Sequence, residues 1–223
     1  MACAADVLWA ALAAGGTRPA VRDAAIELSA AQLLQDMRAR RARLDALGAR
    51  RVALALDNGA DWVAWDLALL DSGRVCVPVP GFFSPQQQAH VLDSAGVDTL
   101  IGDPIVAARV AGFQEIDEGI FQRVPRTVPS LPAGTVKITY TSGTTGQPKG
   151  IVYTHGDVGR LFVDGYQYAA SVAVEAIFRS CIADIFDCLS NDALNIHITI
   201  CCDFTSNEHQ PCCYRGFARN TRI

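Results

Sequence analysis

The sequence predicts an α/β fold in which a mostly parallel β-sheet is flanked by helices. Two observations lead to this prediction. Between residues 30 and 101, segments with apolar residues at helical spacing alternate with short apolar runs that are typical of buried strands. The chain has 223 residues, of which 50% are apolar and 19% charged, and this is the composition of a globular protein large enough to bury a core.

The first predicted helix spans about residues 30–47. Ser29 and Gln32 form a capping-box pair at its start, and Gly48 stands where a C-terminal cap belongs. The apolar residues between them recur at roughly helical spacing: Leu33, Leu34, Met37, Leu44 and Leu47.

A short strand and a second helix come next. Residues 52–56 form an apolar run that ends in an Asp-Asn-Gly turn, which indicates a buried strand. The helix that follows carries Trp62 and Trp65 and stops near Gly73. Both tryptophans are interpreted as helix packing.

The alternation continues with a strand, a helix and a further strand. Residues 75–79 form the strand. Ser84 supplies an N-cap and Pro85 the first position of a helix that runs to about residue 95. The run 97–101 is the next strand, so helices and strands alternate as they do around a parallel sheet.

The next part of the chain is harder to interpret. Residues 102–134 give no clear element, and three prolines make 125–134 a connection. Residues 135–141 and 151–154 are then predicted to be strands, because they are rich in β-branched and aromatic side chains.

A loop rich in glycine, serine and threonine joins these last two strands. With its flanks it reads YTSGTTGQPKG over residues 140–150. Gly143 and Gly146 let the backbone approach a ligand closely, successive N–H groups in such a loop can surround an anion, and Lys149 adds a compact positive charge. A polyphosphate is therefore the expected ligand. The loop is not a Walker A motif, since Gly150 follows the lysine. A flexible surface linker is the alternative, but it does not require strands on both sides.

This loop resembles the signature phosphate loop of the AMP-forming adenylate-forming enzymes, which include acyl- and aryl-CoA ligases, peptide-synthetase adenylation domains and luciferases. Residues 28–101 are similar in order and spacing to the N-terminal subdomain of that family. The resemblance covers about residues 20–165 and implies a partial N-terminal subdomain of an adenylate-forming enzyme.

The resemblance implies a reaction and a set of ligands. Family members join a carboxylic acid to ATP, release pyrophosphate and then usually pass the acyl group to the thiol of CoA or of a carrier pantetheine. ATP, with Mg²⁺, and a carboxylic acid are thus the implied partners. Seven residues are implied phosphate contacts: Thr141, Ser142, Gly143, Thr144, Thr145, Gly146 and Lys149. No catalytic residue and no metal ligand is predicted among them.

The sequence also departs from the family pattern. Members carry an aromatic-Gly-x-Thr-Glu motif, a ribose-binding Asp and a late catalytic Lys beyond the phosphate loop, and residues 151–223 contain none of these. We therefore expect residues 1–168 to be part of an AMP-binding domain and the chain to be a truncated ligase, inactive by itself. A stand-alone ATP- or polyphosphate-binding module is the alternative. An acyl- or aryl-CoA ligase is favoured over a peptide-synthetase module, and whether this chain is an enzyme stays open.

Residues 169–223 differ in composition from the rest. Six of the eight cysteines lie beyond residue 170, whereas 17 of the 18 glycines lie before it. This change predicts a non-family tail, frameshifted or misspliced, that is irregular or poorly folded. A zinc site is disfavoured, because its adjacent cysteine pairs lack the usual spacing between metal ligands.

Other features limit the function classes. A formal net charge of −4 argues against a strongly basic nucleic-acid binder. No membrane span and no signal peptide is expected, so the predicted location is the cytoplasm. His90, in the helix that begins at Pro85, is given no role. His155 is either close to the ligand or a polar residue at a strand end.

Overall fold

A computed structural model describes residues 4–23, 25–141 and 147–158. The predicted tail, residues 169–223, lies outside the described residues, so its boundary and its irregular structure stay predictions. The chain divides into two compact units, which are described separately. In the described part of the chain, no helix is long and apolar enough to cross a membrane.

The smaller unit contains the first 36 residues. Helix α1 (Ala4–Gly15) precedes an antiparallel pair of strands, β1 (Pro19–Arg22) and β2 (Glu27–Ser29). The chain then passes directly into helix α2 (Ala30–Leu47). The Ala30 N–H donates to the Arg18 carbonyl oxygen at 2.9 Å, which joins the start of α2 to the segment before β1. Sequence patterns predicted neither α1 nor this strand pair.

Helix α2 has the predicted bounds, and the predicted capping box is confirmed. The Ser29 N–H donates to Gln32 Oε1 at 2.9 Å, and the Gln32 N–H donates to Ser29 Oγ at 3.3 Å. These bonds satisfy N–H groups that a helix start leaves without partners. Gly48 follows the helix with a φ of 62°, a value that glycine adopts without strain.

In the larger unit, the described residues 37–141 and 147–155 contain a seven-stranded sheet. Its strands are β3 (Arg51–Ala55), β4 (Val75–Pro78), β5 (Thr99–Gly102), β6 (Gln114–Asp117), β7 (Ile120–Gln122), β8 (Thr135–Thr141) and β9 (Lys149–Thr154). Its further helices are α3 (Ala60–Ser72), α4 (Pro85–Ser94) and α5 (Pro104–Ala107).

The strand order across this sheet is β6-β7-β5-β3-β4-β8-β9. The four central strands, β5, β3, β4 and β8, are parallel, and this confirms the predicted parallel sheet. Helix α3 lies in the connection between the parallel neighbours β3 and β4, and α4 lies in the connection from β4 to β5, which crosses β3. Both edges are antiparallel, with β7 and β6 on one side and β9 on the other.

The ends of α3 and α4 follow the sequence signals. Helix α3 ends at Gly73, whose φ is 66° and whose N–H donates to the Leu69 and Leu70 carbonyl oxygens. Ser84 caps α4 in a full capping box with Gln87, and Pro85 occupies the first turn. Each end lies within a few residues of its predicted place.

The hydrophobic core holds the sheet against its helices. Two buried side chains of β8, Ile138 and Tyr140, and Val152 of β9 belong to the same cluster as Val91 and Leu92 of α4. Packing of α4 onto these last two strands fixes the position of the hairpin that they form. Burying a side chain of this size contributes about 1.5–3 kcal/mol.

The segment 102–134, which the sequence left open, contains three short elements. Asp103 caps α5 through a hydrogen bond from the Ile105 N–H at 2.7 Å. Strands β6 and β7 form a hairpin that extends the sheet beyond β5. The connection 125–134 contains no helix or strand, as predicted.

Candidate functional site

The predicted phosphate loop joins β8 to β9. The two strands pair in an antiparallel register that runs from Thr135 opposite Thr154 to Thr141 opposite Lys149. Thr141 and Lys149 are therefore the last pair before the connection. Side chains of directly opposed residues lie on the same face of a sheet, so the Thr141 hydroxyl and the Lys149 ammonium share one face.

Of the seven predicted phosphate contacts, the structure describes these two. Ser142, Gly143, Thr144, Thr145 and Gly146 lie outside the described residues. Lys149 is exposed and Thr141 is half-buried, whereas Pro148, directly before Lys149, is buried. The lysine thus extends into solvent from a backbone that is packed against the protein.

Helix α4 contacts this backbone through His90. The His90 Nε2 lies 3.1 Å from the Pro148 carbonyl oxygen. A carbonyl oxygen can only accept a hydrogen bond, so this ring nitrogen carries the hydrogen and donates. Sequence analysis assigned His90 no role, because Pro148 is 58 residues away in the chain and no local pattern links them.

A second contact from α4 reaches the strand on the other side of the connection. Ser94 Oγ donates to the His90 carbonyl oxygen at 2.6 Å. The same Oγ lies 2.7 Å from the Tyr140 hydroxyl oxygen. A serine hydroxyl has one hydrogen, and it is already donated, so the Tyr140 hydroxyl is the donor to Ser94. Two residues one helical turn apart on α4 therefore hold both strands of the hairpin next to the connection.

Burial keeps Tyr140 in the protonated form that this arrangement needs. Removal from water raises the pKa of the Tyr140 phenol, and the hydrogen bond to Ser94 opposes that shift only in part. The phenol is 3% exposed and stays neutral at physiological pH. Its ring also meets the His90 ring edge-on, with 6.3 Å between the centroids.

A second polar cluster lies between the sheet and α3. Lys137 Nζ of β8 is 2.8 Å from the carboxylate of Asp66 and 5.6 Å from the centroid of the Trp62 ring. Cys76 of β4 is the register partner of Lys137 and is fully buried. Burial raises the pKa of the Cys76 thiol well above its ordinary value, and the Asp66 carboxylate raises it further. The thiol is therefore protonated and unreactive, which fits a structural role.

His155 lies away from Lys149, one of the two predicted phosphate contacts that the structure describes. It follows β9 at the end opposite Lys149, and its N–H donates to the Gly134 carbonyl oxygen at 2.9 Å. Five residue steps along a strand separate its neighbour Thr154 from Lys149, or about 17 Å. Of the two interpretations left open, the structure supports the polar residue at a strand end.

The described residues contain no group of three or more His, Cys, Asp or Glu side chains that could hold a metal ion. At the end of the hairpin, the described residues bring together the Thr141 hydroxyl and the Lys149 ammonium group. A hydroxyl donates a hydrogen bond and an ammonium group adds charge, and both suit an anion.

Comparison with known proteins assigns this chain to a family. The family model described as AMP-binding enzyme matches residues 8–179. Syringomycin synthase SyrB1 of Pseudomonas syringae pv. syringae is 31% identical over 154 residues, which are 65% of this chain and 25% of that protein. The 2-succinylbenzoate–CoA ligase of Bacillus cytotoxicus is 32% identical over 111 residues, which are 48% of this chain and 23% of that protein. The chain thus spans about a quarter of each of these relatives.

A solved structure supports the fold. The N-terminal domain of FACL13 from Mycobacterium tuberculosis, in an inhibitor-bound crystal structure, has a TM-score of 0.58 and 21% identity to this chain. The match covers 75% of this chain and 48% of that one. Because the family model covers more than half of the chain, the protein belongs to the AMP-binding family of adenylate-forming enzymes, and its described fold is that of their N-terminal domains.

Proposed function

We propose that this chain binds the β- and γ-phosphates of ATP at the connection between β8 and β9. The site belongs to a ligase that activates a carboxylic acid as its acyl-adenylate. One observation carries the proposal: the register places Thr141 and Lys149 opposite each other at the end of the hairpin. The five predicted contacts between them, residues 142–146, complete the proposed site.

Electrostatics explain why such a site assists the reaction. When the acid attacks the α-phosphate, negative charge builds on the departing pyrophosphate. Donors that are already in place stabilise this charge at little reorganisation cost. The Lys149 ammonium supplies a positive charge, and the Thr141 hydroxyl supplies a hydrogen bond. Neither side chain forms a bond with the substrate, so these residues bind and position.

Mg²⁺ fits this site as a companion of ATP. The described residues offer no cluster of carboxylates to hold the ion, so the phosphate oxygens of ATP are its proposed ligands. Bound there, Mg²⁺ would supply positive charge to the phosphates, and Lys149 would add a positive charge from the protein.

The substrates beyond ATP belong to the same proposal. The acid is a small-molecule carboxylate, and the final acceptor is the thiol of CoA or of a carrier pantetheine. One similar protein is a CoA ligase and another a syringomycin synthase, so both acceptors are compatible with the family. We propose that the ligase is of the acyl- or aryl-CoA type and that its location is the cytoplasm.

The 223-residue chain alone is proposed to bind ATP without turning it over. Residues 151–223 contain no aromatic-Gly-x-Thr-Glu motif, which in the family packs on adenine and helps to hold Mg²⁺. If the chain is instead a stand-alone polyphosphate-binding module, ATP binding without turnover is also expected of the isolated chain. The two differ in whether an acid-activating reaction appears once the missing motifs are supplied.

The test combines binding with exchange. Calorimetric titration with Mg²⁺-ATP is expected to show binding by the wild type and at least a tenfold loss in Lys149→Ala, because a phosphate contact to a charged group contributes about 1.5–3 kcal/mol. Arg38→Ala, which removes an exposed positive charge from α2, is the matched control and should bind as the wild type does. Equal affinity in Lys149→Ala would overturn the proposed site.

Exchange of radiolabelled pyrophosphate into ATP then tests turnover. No exchange above background is expected with any of a panel of carboxylic acids. Acid-dependent exchange by the 223-residue chain would contradict the proposed inactivity and would favour a complete active site.

A further inference from the structure

We infer that His90 and Ser94 of α4 are positioning residues for Lys149. They fix the ends of the two strands between which the phosphate contacts lie. This inference rests on the proposed function, because the effect of the two residues is measured as phosphate binding. It adds two residues whose contacts with the hairpin span 58 and 46 positions of the sequence.

Pro148 links His90 to the backbone of Lys149. This residue is buried and directly precedes the exposed Lys149. The hydrogen bond from His90 Nε2 fixes the carbonyl group of Pro148, and that carbonyl belongs to the peptide unit that contains the Lys149 nitrogen. Rotation of this peptide unit would redirect Lys149. The histidine therefore restricts the backbone at the place where the lysine leaves the protein.

Helix α4 also contacts the other strand of the hairpin. Tyr140 directly precedes Thr141, and its hydroxyl donates to Ser94 Oγ, which donates to the carbonyl of His90. The helix thus contacts the residue directly before Thr141 and the residue directly before Lys149. Since Thr141 and Lys149 are register partners, holding both strands fixes the separation of the two proposed phosphate contacts.

The contacts from α4 and the proposed phosphate contacts lie on opposite faces of the sheet. Neighbouring side chains on a strand point to opposite faces, so Tyr140 faces α4 while Thr141 faces the other way. The contacts from α4 therefore reach the hairpin without occupying the face on which Thr141 and Lys149 lie. His90 and Ser94 act through Pro148 and Tyr140 and do not contact the phosphates themselves.

The experiment measures Mg²⁺-ATP affinity of the 223-residue chain by calorimetry, at a temperature at which circular dichroism shows every variant to be folded. His90→Phe keeps a ring but removes the donor, and it is expected to weaken binding about threefold to tenfold, the effect of one lost hydrogen bond. His90→Gln restores an N–H donor at a similar reach and should recover affinity within about twofold of the wild type. Gln86→Ala, an exposed change in the same helix, is the control and should have no effect.

The outcomes separate this inference from the proposed function. If Lys149→Ala loses binding while His90→Phe binds as tightly as the wild type, the positioning role is overturned and the phosphate site stands. Equal weakening in His90→Phe and His90→Gln also overturns it, because restoring the N–H donor would then have no effect on binding. Absence of binding by the wild type overturns both.

Two further measurements keep the test decisive. If His90→Phe does not fold, His90→Asn replaces it, since its amide is one methylene shorter than that of glutamine and does not reach the Pro148 oxygen. Long-range proton–nitrogen NMR spectra report the tautomer of His90. A hydrogen on Nε2 is expected, and a neutral ring protonated only on Nδ1 would contradict the bond to Pro148.

Discussion

Replacement of Gly102 by alanine tests the packing at the end of the central strands. Gly102 is the last residue of β5, and its φ is 122°, a conformation that L-residues rarely adopt. A Cβ atom at this position would lie 2.1 Å from the Ala55 carbonyl oxygen and 2.6 Å from its carbonyl carbon. That oxygen is held in place, because it accepts a hydrogen bond from the Asp103 N–H at 2.9 Å.

The expected loss of stability follows from two separate costs. Holding a non-glycine residue at this φ costs about 1–3 kcal/mol. Moving two packed backbone segments apart costs about 1–3 kcal/mol more. The unfolding free energy of Gly102→Ala should therefore fall by about 2–6 kcal/mol, and the melting temperature by about 5–15 °C.

Thermal unfolding followed by circular dichroism measures this loss, and Gly134→Ala is the matched control. Gly134 also has a positive φ, 76°, but a Cβ there would meet no atom within 4 Å. The control should therefore show the backbone cost alone, about 1–2 kcal/mol. Equal losses in the two variants would refute the close contact between Gly102 and Ala55.

Further predictions concern three individual side chains. Lys137→Met should lower the unfolding free energy, measured in urea, by about 2 kcal/mol, because the Asp66 carboxylate, which is 16% exposed, loses its ion-pair partner. The double variant with Asp66→Asn should recover part of this loss. Strictly additive losses from the two substitutions would contradict the ion pair. Cys76 should resist a maleimide reagent at pH 8 until the protein is unfolded, as mass spectrometry of its peptide would show, and rapid native labelling would contradict its burial. Since the folded thiol keeps its proton while the unfolded thiol loses it, stability should fall above about pH 8.5, and by less in Cys76→Ala. Ser84→Ala should cost about 1 kcal/mol by removing the α4 cap, which a melting curve detects; an unchanged curve would count against the cap.

Elements with strong local signals were predictable from the sequence. The capping-box pair at Ser29 and the N-cap Ser84 before Pro85 marked the starts of α2 and α4, and glycine marked the end of α3. The strands of the parallel sheet were found because both faces of such a sheet are covered, so that they read as continuous apolar runs. Strand β8 agrees with its prediction residue for residue.

The elements that were missed are short or depend on tertiary contacts. Every residue of β6 is exposed, so its sequence has no apolar alternation to reveal a strand. Helix α5 has four residues and can be recognised only from its Asp103 cap. Strands β1 and β2 are four and three residues long, and among the described residues they pair with each other.

The sequence predicts the chemistry of the candidate site but not the contacts that support it, and anion binding there stays a prediction. Glycine, threonine and lysine in the loop indicated an anion directly, because these residue types act there through local backbone and charge. The contact of His90 with Pro148 could not be inferred, since it arises only when α4 packs against the hairpin. No local pattern reports a contact that the tertiary fold creates.

The most direct test of the central claim is a competition experiment on the 223-residue chain. Bound Mg²⁺-ATP is challenged with pyrophosphate in one series and with AMP in another. A site that holds the β- and γ-phosphates predicts that pyrophosphate displaces ATP, that AMP does not, and that Lys149→Ala abolishes pyrophosphate binding. Displacement by AMP with no effect of pyrophosphate would contradict the assignment of Thr141 and Lys149 as phosphate contacts.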